Sequence, residues 1–235
     1  MAKLGSMKGW GELFSKLQGA VEHLPLVQAD KGEGVLMRTL KGFMANSGLS
    51  TEARMAKVVE GELPPDELKN DLKLQLAKMV ARGGGGGVVD AAKELLQSIG
   101  GHQLLNAQTL DSGFFVVPLV VSYQNRIDEW RMTVSQDDAE GEHWFRITLL
   151  SSPPEIGTIR IDLTYAQKAR RLEMLFWVER EESKDLVEDA LPLLKEDFSG
   201  AKVNLARVEV GVSRQLSKED LPIEVKRPYL LQTRA

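Results

Sequence analysis

The chain has 235 residues, 43% hydrophobic and 27% charged, enough for one large domain or two small ones with a core that needs no staples. A mean hydropathy of -0.21, with no apolar run near the roughly 20 residues that cross a bilayer, excludes membrane-spanning helices. A formal net charge of -4 provides no global positive field, so nucleic acid is disfavoured, and the absence of cysteine excludes disulfides, thiolate chemistry and cysteine-ligated zinc.

A chain without cysteine fits a reducing compartment, with the cytoplasm as the default. Residues 1–6 lack the basic start, apolar core and cleavage site of a secretory signal and read as a vector remnant, with Met7 as the natural start. Residues 7–110 read as a helical region. Trp10, Leu13, Phe14, Leu17 and Val21 recur at helical spacing. A second segment carries Val35, Leu36, Leu40, Phe43 and Met44 and stops at Asn46-Ser47-Gly48, and a short third follows Ser50 or Thr51.

The next helix is expected to begin at Pro64-Pro65-Asp66-Glu67, with Leu68, Leu72, Leu76, Met79 and Val80 as its buried stripe. Five glycines, Gly83 to Gly87, end it and read as a flexible linker. A phosphate cradle is the sharper alternative, but no lysine followed by serine or threonine comes after the run; an engineered replacement of a longer insertion is a third reading. Residues 88–107 read as one more helix, with Ala92, Leu95, Leu96, Ile99 and Leu104 on its apolar side and an interruption at Gly100-Gly101.

From Phe114 the period changes to two, and residues 111–213 read as an α+β domain. Residues 114–123 form a strand covered on both faces, pushed to an edge or a bulge by Pro118, with Asn125 in the following turn. The returning strand, 127–135, places Asp128, Trp130, Met132 and Val134 on one side and Ile127, Glu129, Arg131 and Thr133 on the other. Residues 136–142 are acidic and loop-like.

Strands follow at 144–150 and 158–165, the latter with Ile159, Ile161, Leu163 and Tyr165 facing the core. After a turn at 167–170, Leu172, Met174, Phe176 and Val178 point inward and Glu173, Leu175 and Trp177 outward. The outward Leu175–Trp177 pair packs on the amino-terminal helices or on a partner protein. An amphipathic helix over 183–198 turns Leu186, Val187, Ala190, Leu191, Leu194 and Phe198 to the sheet, with Pro192 expected to kink or divide it. A last strand, 203–213, has Ala206, Val208, Val210 and Val212 on its inner face, and 214–235 reads as a polar tail or strap. The fold class expected is α+β: a helical amino-terminal half, then a mainly antiparallel sheet with one helix packed on it.

The order of elements from Trp144 to Ser213 resembles the carboxy-terminal domain of bacterial flagellar hook-length control proteins. Pro153-Pro154-Glu155-Ile156-Gly157 followed by Thr158-Ile159-Arg160-Ile161-Asp162-Leu163 is similar to that family's proline, two residues, leucine, glycine and alternating strand. Leu172-Glu173-Met174-Leu175-Phe176 resembles its next strand, Leu191-Pro192-Leu193-Leu194-Lys195 its helix centre, and Gly200 through Val210 its closing glycine and last strand. Residues 95–106 followed by 114–119 resemble what precedes this domain in related proteins of Gram-positive bacteria. Two positions depart from the family pattern, Ile156 for leucine and Ser151 for leucine. The low-complexity ruler region of hook-length members is replaced here by a helical segment.

What the resemblance implies is the switch function: a folded domain that contacts the export-gate switch protein of a type III export apparatus and changes which substrates it accepts. The same resemblance implies export through that apparatus without a cleaved signal. Candidate partner-binding residues are Pro153, Pro154, Glu155, Ile156 and Gly157 in the turn and Lys168, Arg170 and Arg171 in the hairpin, with Arg180 close in sequence. The basic residues are read either as a solubilising turn or as a docking patch for an acidic partner or RNA. The competing reading is a non-flagellar regulatory or scaffold protein that uses the same fold for another partner.

Catalytic chemistry has little to start from. His23, His102 and His143 occur without HExxH spacing, no Gly-x-Ser-x-Gly elbow is present, and Asp137, Asp138, Glu140 and Glu142 lack the alternation of a calcium loop. No catalytic, cofactor-binding or metal-ligating residue and no cofactor is assigned.

Overall fold

In the computed structural model, residues 9–83, 86–110, 113–124, 126–139, 141–200, 203–213 and 216 are described. The expectations for residues 1–6, the middle of the glycine run, Asn125 and nearly all of the tail 214–235 lie outside them. Helix α1 spans Trp10–Leu17, the two-residue strand β1 Val27–Gln28, α2 Glu33–Asn46 and α3 Thr51–Val59. A 3₁₀ turn, Pro65–Leu68, precedes α4 (Leu72–Arg82) and α5 (Gly87–Gln108). The strands are β2 Phe114–Tyr123, β3 Arg126–Ala139, β4 Glu142–Ser151, β5 Ile159–Ala166 and β6 Arg171–Val178. Helix α6 (Glu181–Gly200) and β7 (Asn204–Val212) complete the chain, so the architecture is α+β as the periodicities require.

All seven strands form one sheet in sequence order. The pairings from β2 to β6 are antiparallel, and the two outer ones, β1 with β2 and β6 with β7, are parallel. Parallel pairing of β6 with β7 requires a crossover, which α6 provides. One core joins Trp10, Leu13, Phe14 and Leu17 of α1, Phe43, Leu72, Leu76, Leu95 and Ile99 to Val117, Leu119 and Val120 of β2. A second gathers Ile159, Leu172, Met174, Phe176 and Val178 beneath Val187, Leu191, Leu194 and Phe198 of α6.

Several elements differ from the sequence reading for identifiable reasons. Met44 is 41% exposed although α2 is helical as expected: Phe43 is buried in the core and Leu36 and Leu40 pack against it, while Met44 lies off that stripe. Pro64 and Pro65 open the separate 3₁₀ turn, while α4 starts seven residues after Pro65 with the Asp71 carboxylate as its cap, accepting from Leu74 N at 3.2 Å. The Thr51 hydroxyl donates to the same buried carboxylate at 2.8 Å. Gly87 is already the first residue of α5, and α5 runs through Gly100-Gly101 without interruption. Two glycines cost roughly 1 kcal/mol each in a helix, less than the fully buried Leu95 and Ile99 on the same helix contribute. Leu104 is 62% exposed, off the buried stripe.

The acidic segment 136–142 is mostly strand: β3 and β4 extend into it, pairing Asp137 with Trp144 and Asp138 with His143. Two cross-strand contacts join it, an ion pair of Arg146 with Asp137 at 3.2 Å and a hydrogen bond between His143 Nδ1 and Asp138 Oδ1 at 2.6 Å. Helix α6 crosses Pro192 undivided, and Leu186 lies outside its packed stripe at 56% exposure, as does the exposed Ala190. Residues 187, 191, 194 and 198 alone follow the helical repeat onto the sheet. In β7 a bulge opposite Leu172/Glu173 shifts the register, so Leu205 takes the inner position expected for Ala206, which is exposed. The Trp177 ring, 36% exposed, lies over Gly211 of β7, where an added Cβ would come within 2.6 Å of it.

Candidate functional site

Alternation along β3, β4 and β5, together with their register, places a row of apolar side chains on one face of the sheet. Met132 pairs with Leu149 and Leu149 with Ile161; Val134 pairs with Ile147 and Ile147 with Leu163. The same face continues onto Phe176 and Met174 of β6, where α6 covers it. At the other side Leu36 and Leu40 of α2 rise beside Val27 and Val121. Between these two covered ends the sheet is open, and Trp130, Met132, Ile147, Leu149, Ile161 and Leu163 floor a groove of about 820 Å³.

One end of the groove is polar. Arg126 Nη2 lies 3.0 Å from Asp128 Oδ2, and its other terminal nitrogen donates to Glu155 in the turn between β4 and β5. Hydrogen bonds donated to Glu155 and Asp128 raise the Arg126 pKa above its ordinary value, and the Arg126 guanidinium holds the Glu155 carboxyl below the usual carboxylate range. This pairing links the turn to β3 and sets a charged lip on an apolar trough.

The two groups of sequence-predicted site residues separate here. Pro153, Glu155 and Ile156 line the groove, Pro154 is exposed and Gly157 is buried. The turn closes through Gly157 N donating to Pro153 O at 2.8 Å, and Gly157 has φ of +76°, the left-handed region in which a Cβ is strained. Lys168, Arg170 and Arg171 sit at the far end of β5, eight residues and roughly 25 Å along the strand. There the Lys168 backbone N–H donates to Glu142 at 2.7 Å, and Arg171 pairs with Glu173 at 2.6 Å. Arg180, near this patch in sequence, instead has its guanidinium against Gly157 at the opposite end.

The sequence reading missed the other contributors to the groove. Leu36 and Leu40 carried a signal, the i, i+4 spacing, which puts them on one face of α2 without saying what that face meets. Met132 and Ile147 alternate correctly, yet alternation alone does not say which stretch of a face a helix leaves bare. Of the histidines expected at the surface or in loops, His102 is half-buried within α5, its ring edge-on to Trp10 at 5.7 Å and its Nδ1 2.9 Å from Ser98 O. Burial pushes its pKa down. Among the described residues no group of three or more His, Cys, Asp or Glu side chains is placed to hold a metal ion, and no helix is long and apolar enough to cross a membrane.

The groove therefore offers a shaped apolar surface with one charged end, suited to receiving an apolar segment of another chain. No curated protein and no solved structure matches the chain. Residues 131–218 match the family model of the flagellar hook-length control protein FliK, a span that takes in most of β3 and all of β4, β5, β6, α6 and β7. The β3-to-β7 part of the molecule is thus similar to the flagellar hook-length control family.

Proposed function

We propose that the β3-to-β7 domain is a protein-binding module that contacts the export-gate switch protein of a type III export apparatus and changes which substrates that apparatus accepts. The observation that carries this reading is the coincidence of the family match at 131–218 with an uncovered apolar face whose floor lies largely inside that span. The residues lining the groove are mainly aliphatic and aromatic, with the Arg126–Asp128–Glu155 set at one end, a composition suited to binding rather than to proton transfer. On this reading the domain works by association and not as an enzyme, and it reaches the apparatus from the cytoplasm and passes through it without a cleaved signal.

A second reading has one observation in its favour: the helices α1 to α5 lie outside the matched span. They leave room for a regulatory or scaffold role with a non-flagellar partner. Capture of the full chain by the immobilised cytoplasmic domain of the export-gate switch protein separates the two. The export reading expects capture by the wild-type chain and its loss in Leu163→Asp with an unchanged circular dichroism spectrum. Absence of capture by the folded wild-type chain overturns it.

A further inference from the structure

The groove has a further wall in α6. Ser183, at the start of that helix, donates its hydroxyl hydrogen to Ile156 O at 2.5 Å, and Ile156 lines the groove. This contact fixes which flank of α6 looks over the open sheet. Leu186, Ala190 and Leu193 follow Ser183 at i+3, i+7 and i+10, so they share its side of the helix. The right-handed crossover that parallel strand pairs adopt turns the same flank toward β5. All three are exposed, Leu193 at 68%, whereas Val187, Leu191 and Leu194, one position after each, pack on the sheet.

Charge is distributed unevenly over the same helix. It carries seven carboxylates and two lysines, and both lysines lie on the flank away from the groove, where Lys184 pairs with Glu188 at 3.7 Å. Glu182, Asp189 and Asp197 instead extend the Leu186–Leu193 row, and none of the three has an ion-pair partner among the described residues. Solubility explains scattered charge but not this segregation of signs. Asp197 also stands near the carboxy-terminal end of α6, where the helix dipole disfavours an anion. At the lip of the groove Asp128 and Glu155 share the one cation Arg126, which leaves negative charge in excess there too.

A bare apolar trough edged by unmatched carboxylates is complementary to an apolar stripe edged by cations. Shape selects the backbone form of the occupant. The floor consists of β3, β4 and β5, two inter-strand spacings or about 10 Å across, and one helix with its side chains has about that diameter. The face of a sheet presents no backbone N–H or C=O, so an extended segment laid there would leave its own groups unpaired, while a helix pairs them internally. Resting on the reading of this groove as a protein-docking surface, we propose that its occupant is a basic amphipathic helix of the partner. That helix lies between α2 and α6, with its apolar stripe on Trp130, Met132, Leu149, Ile161 and Leu163 and its lysines or arginines against Asp189 and Asp197.

The test is fluorescence anisotropy of three labelled synthetic peptides, each about five helical turns long, titrated with the full chain. The first has leucines in one helical stripe flanked by lysines, the second the same stripe flanked by glutamates, and the third the composition of the first with the stripe scrambled. Saturable binding of the first is expected, at least tenfold tighter than that of the other two. Asp189→Lys/Asp197→Lys and Leu163→Asp, each with the wild-type circular dichroism spectrum, are expected to weaken it at least tenfold. Glu181→Lys/Glu188→Lys makes the same change of net charge on the opposite flank and is expected to leave the affinity within twofold. Equal binding of the three peptides, no binding of the first, or equal weakening by the two α6 charge variants overturns the proposal. No export protein enters this titration, so its outcome is separable from the capture experiment. Peptide binding without capture removes the export reading alone, and capture that depends on Leu163 but not on Asp189 and Asp197 removes the basic helix alone.

Discussion

Asn106 of α5 and Val116 of β2 exchange two hydrogen bonds: the Val116 N–H donates to Asn106 Oδ1 at 2.8 Å, and Asn106 Nδ2 donates to Val116 O at 2.9 Å. A side-chain amide here replaces the neighbouring strand that β2 lacks, since β1 pairs only with Val121 and Ser122. Pro118, two residues further on, shares the outward backbone sense of Val116, so its missing N–H falls on that same unpaired edge. Removing the amide leaves both Val116 groups without partners. Asn106→Leu is expected to destabilise the chain by about 1–3 kcal/mol, read from the urea midpoint, and an unchanged midpoint would show that water serves the edge equally well.

Gly157 gives a second expectation. Its φ is +76°, and an added Cβ would lie 2.9 Å from Arg180 Nη2 and 3.1 Å from Arg180 Cζ. The backbone strain is worth roughly 1–2 kcal/mol, and the guanidinium can swing aside only by leaving the turn. Gly157→Val is expected to lose at least that much stability; if Arg180→Ala removes most of the loss, the clash dominates over the dihedral.

The sheet face predicts unequal costs along one row. Phe176 lies under α6 and is buried, so Phe176→Ala is expected to cost about 3–5 kcal/mol. Ile161, directly paired with it, is only half-buried because it floors the open groove. Ile161→Ala is expected to cost well under half as much in thermal or urea unfolding while weakening capture of the groove's partner. Equal destabilisation by the two changes would mean that the groove is closed in solution.

His102 confers a pH dependence with a definite sign. Its pKa in the folded chain is below the ordinary 6.5, because burial against Trp10 disfavours the charged ring. The unfolded chain therefore binds the proton first, and the contribution of His102 to stability is complete above about pH 6.5 and declines as pH falls below it. Glu155, Glu179 and Glu209 are lowered from 4.5 and act only at more acidic pH. The decline just below pH 6.5 is expected to disappear in His102→Gln, as followed by urea unfolding at stepped pH.

Asp71 gives a fifth stability test. Its buried carboxylate caps α4, accepts from Thr51 and lies 3.7 Å from Arg54. Asp71→Ala removes the cap and one partner each of Thr51 and Arg54, which keep Gly48 O and Glu67, so a loss of about 1–3 kcal/mol is expected. Asp71→Asn keeps an acceptor for the Leu74 N–H and is expected to lose less.

Chain-local pattern alone determined a good deal of this protein. The switch from helical to two-residue period near Phe114, the inward set Leu172, Met174, Phe176 and Val178, and the glycine turn at 157 all follow from spacing and backbone preference, because each depends on near neighbours in sequence. Tertiary structure decided the rest. Segment 136–142 became largely strand because the β3–β4 ladder continues through Asp137–Trp144 to Ala139–Glu142, and Leu205 displaced Ala206 because a bulge shifted the register of β7 against β6. The groove exists because α6 and α2 cover the two ends of one sheet face and leave its middle bare. Periodicity says which side chains share a face; only the packing of distant segments says which part of that face remains open to a partner.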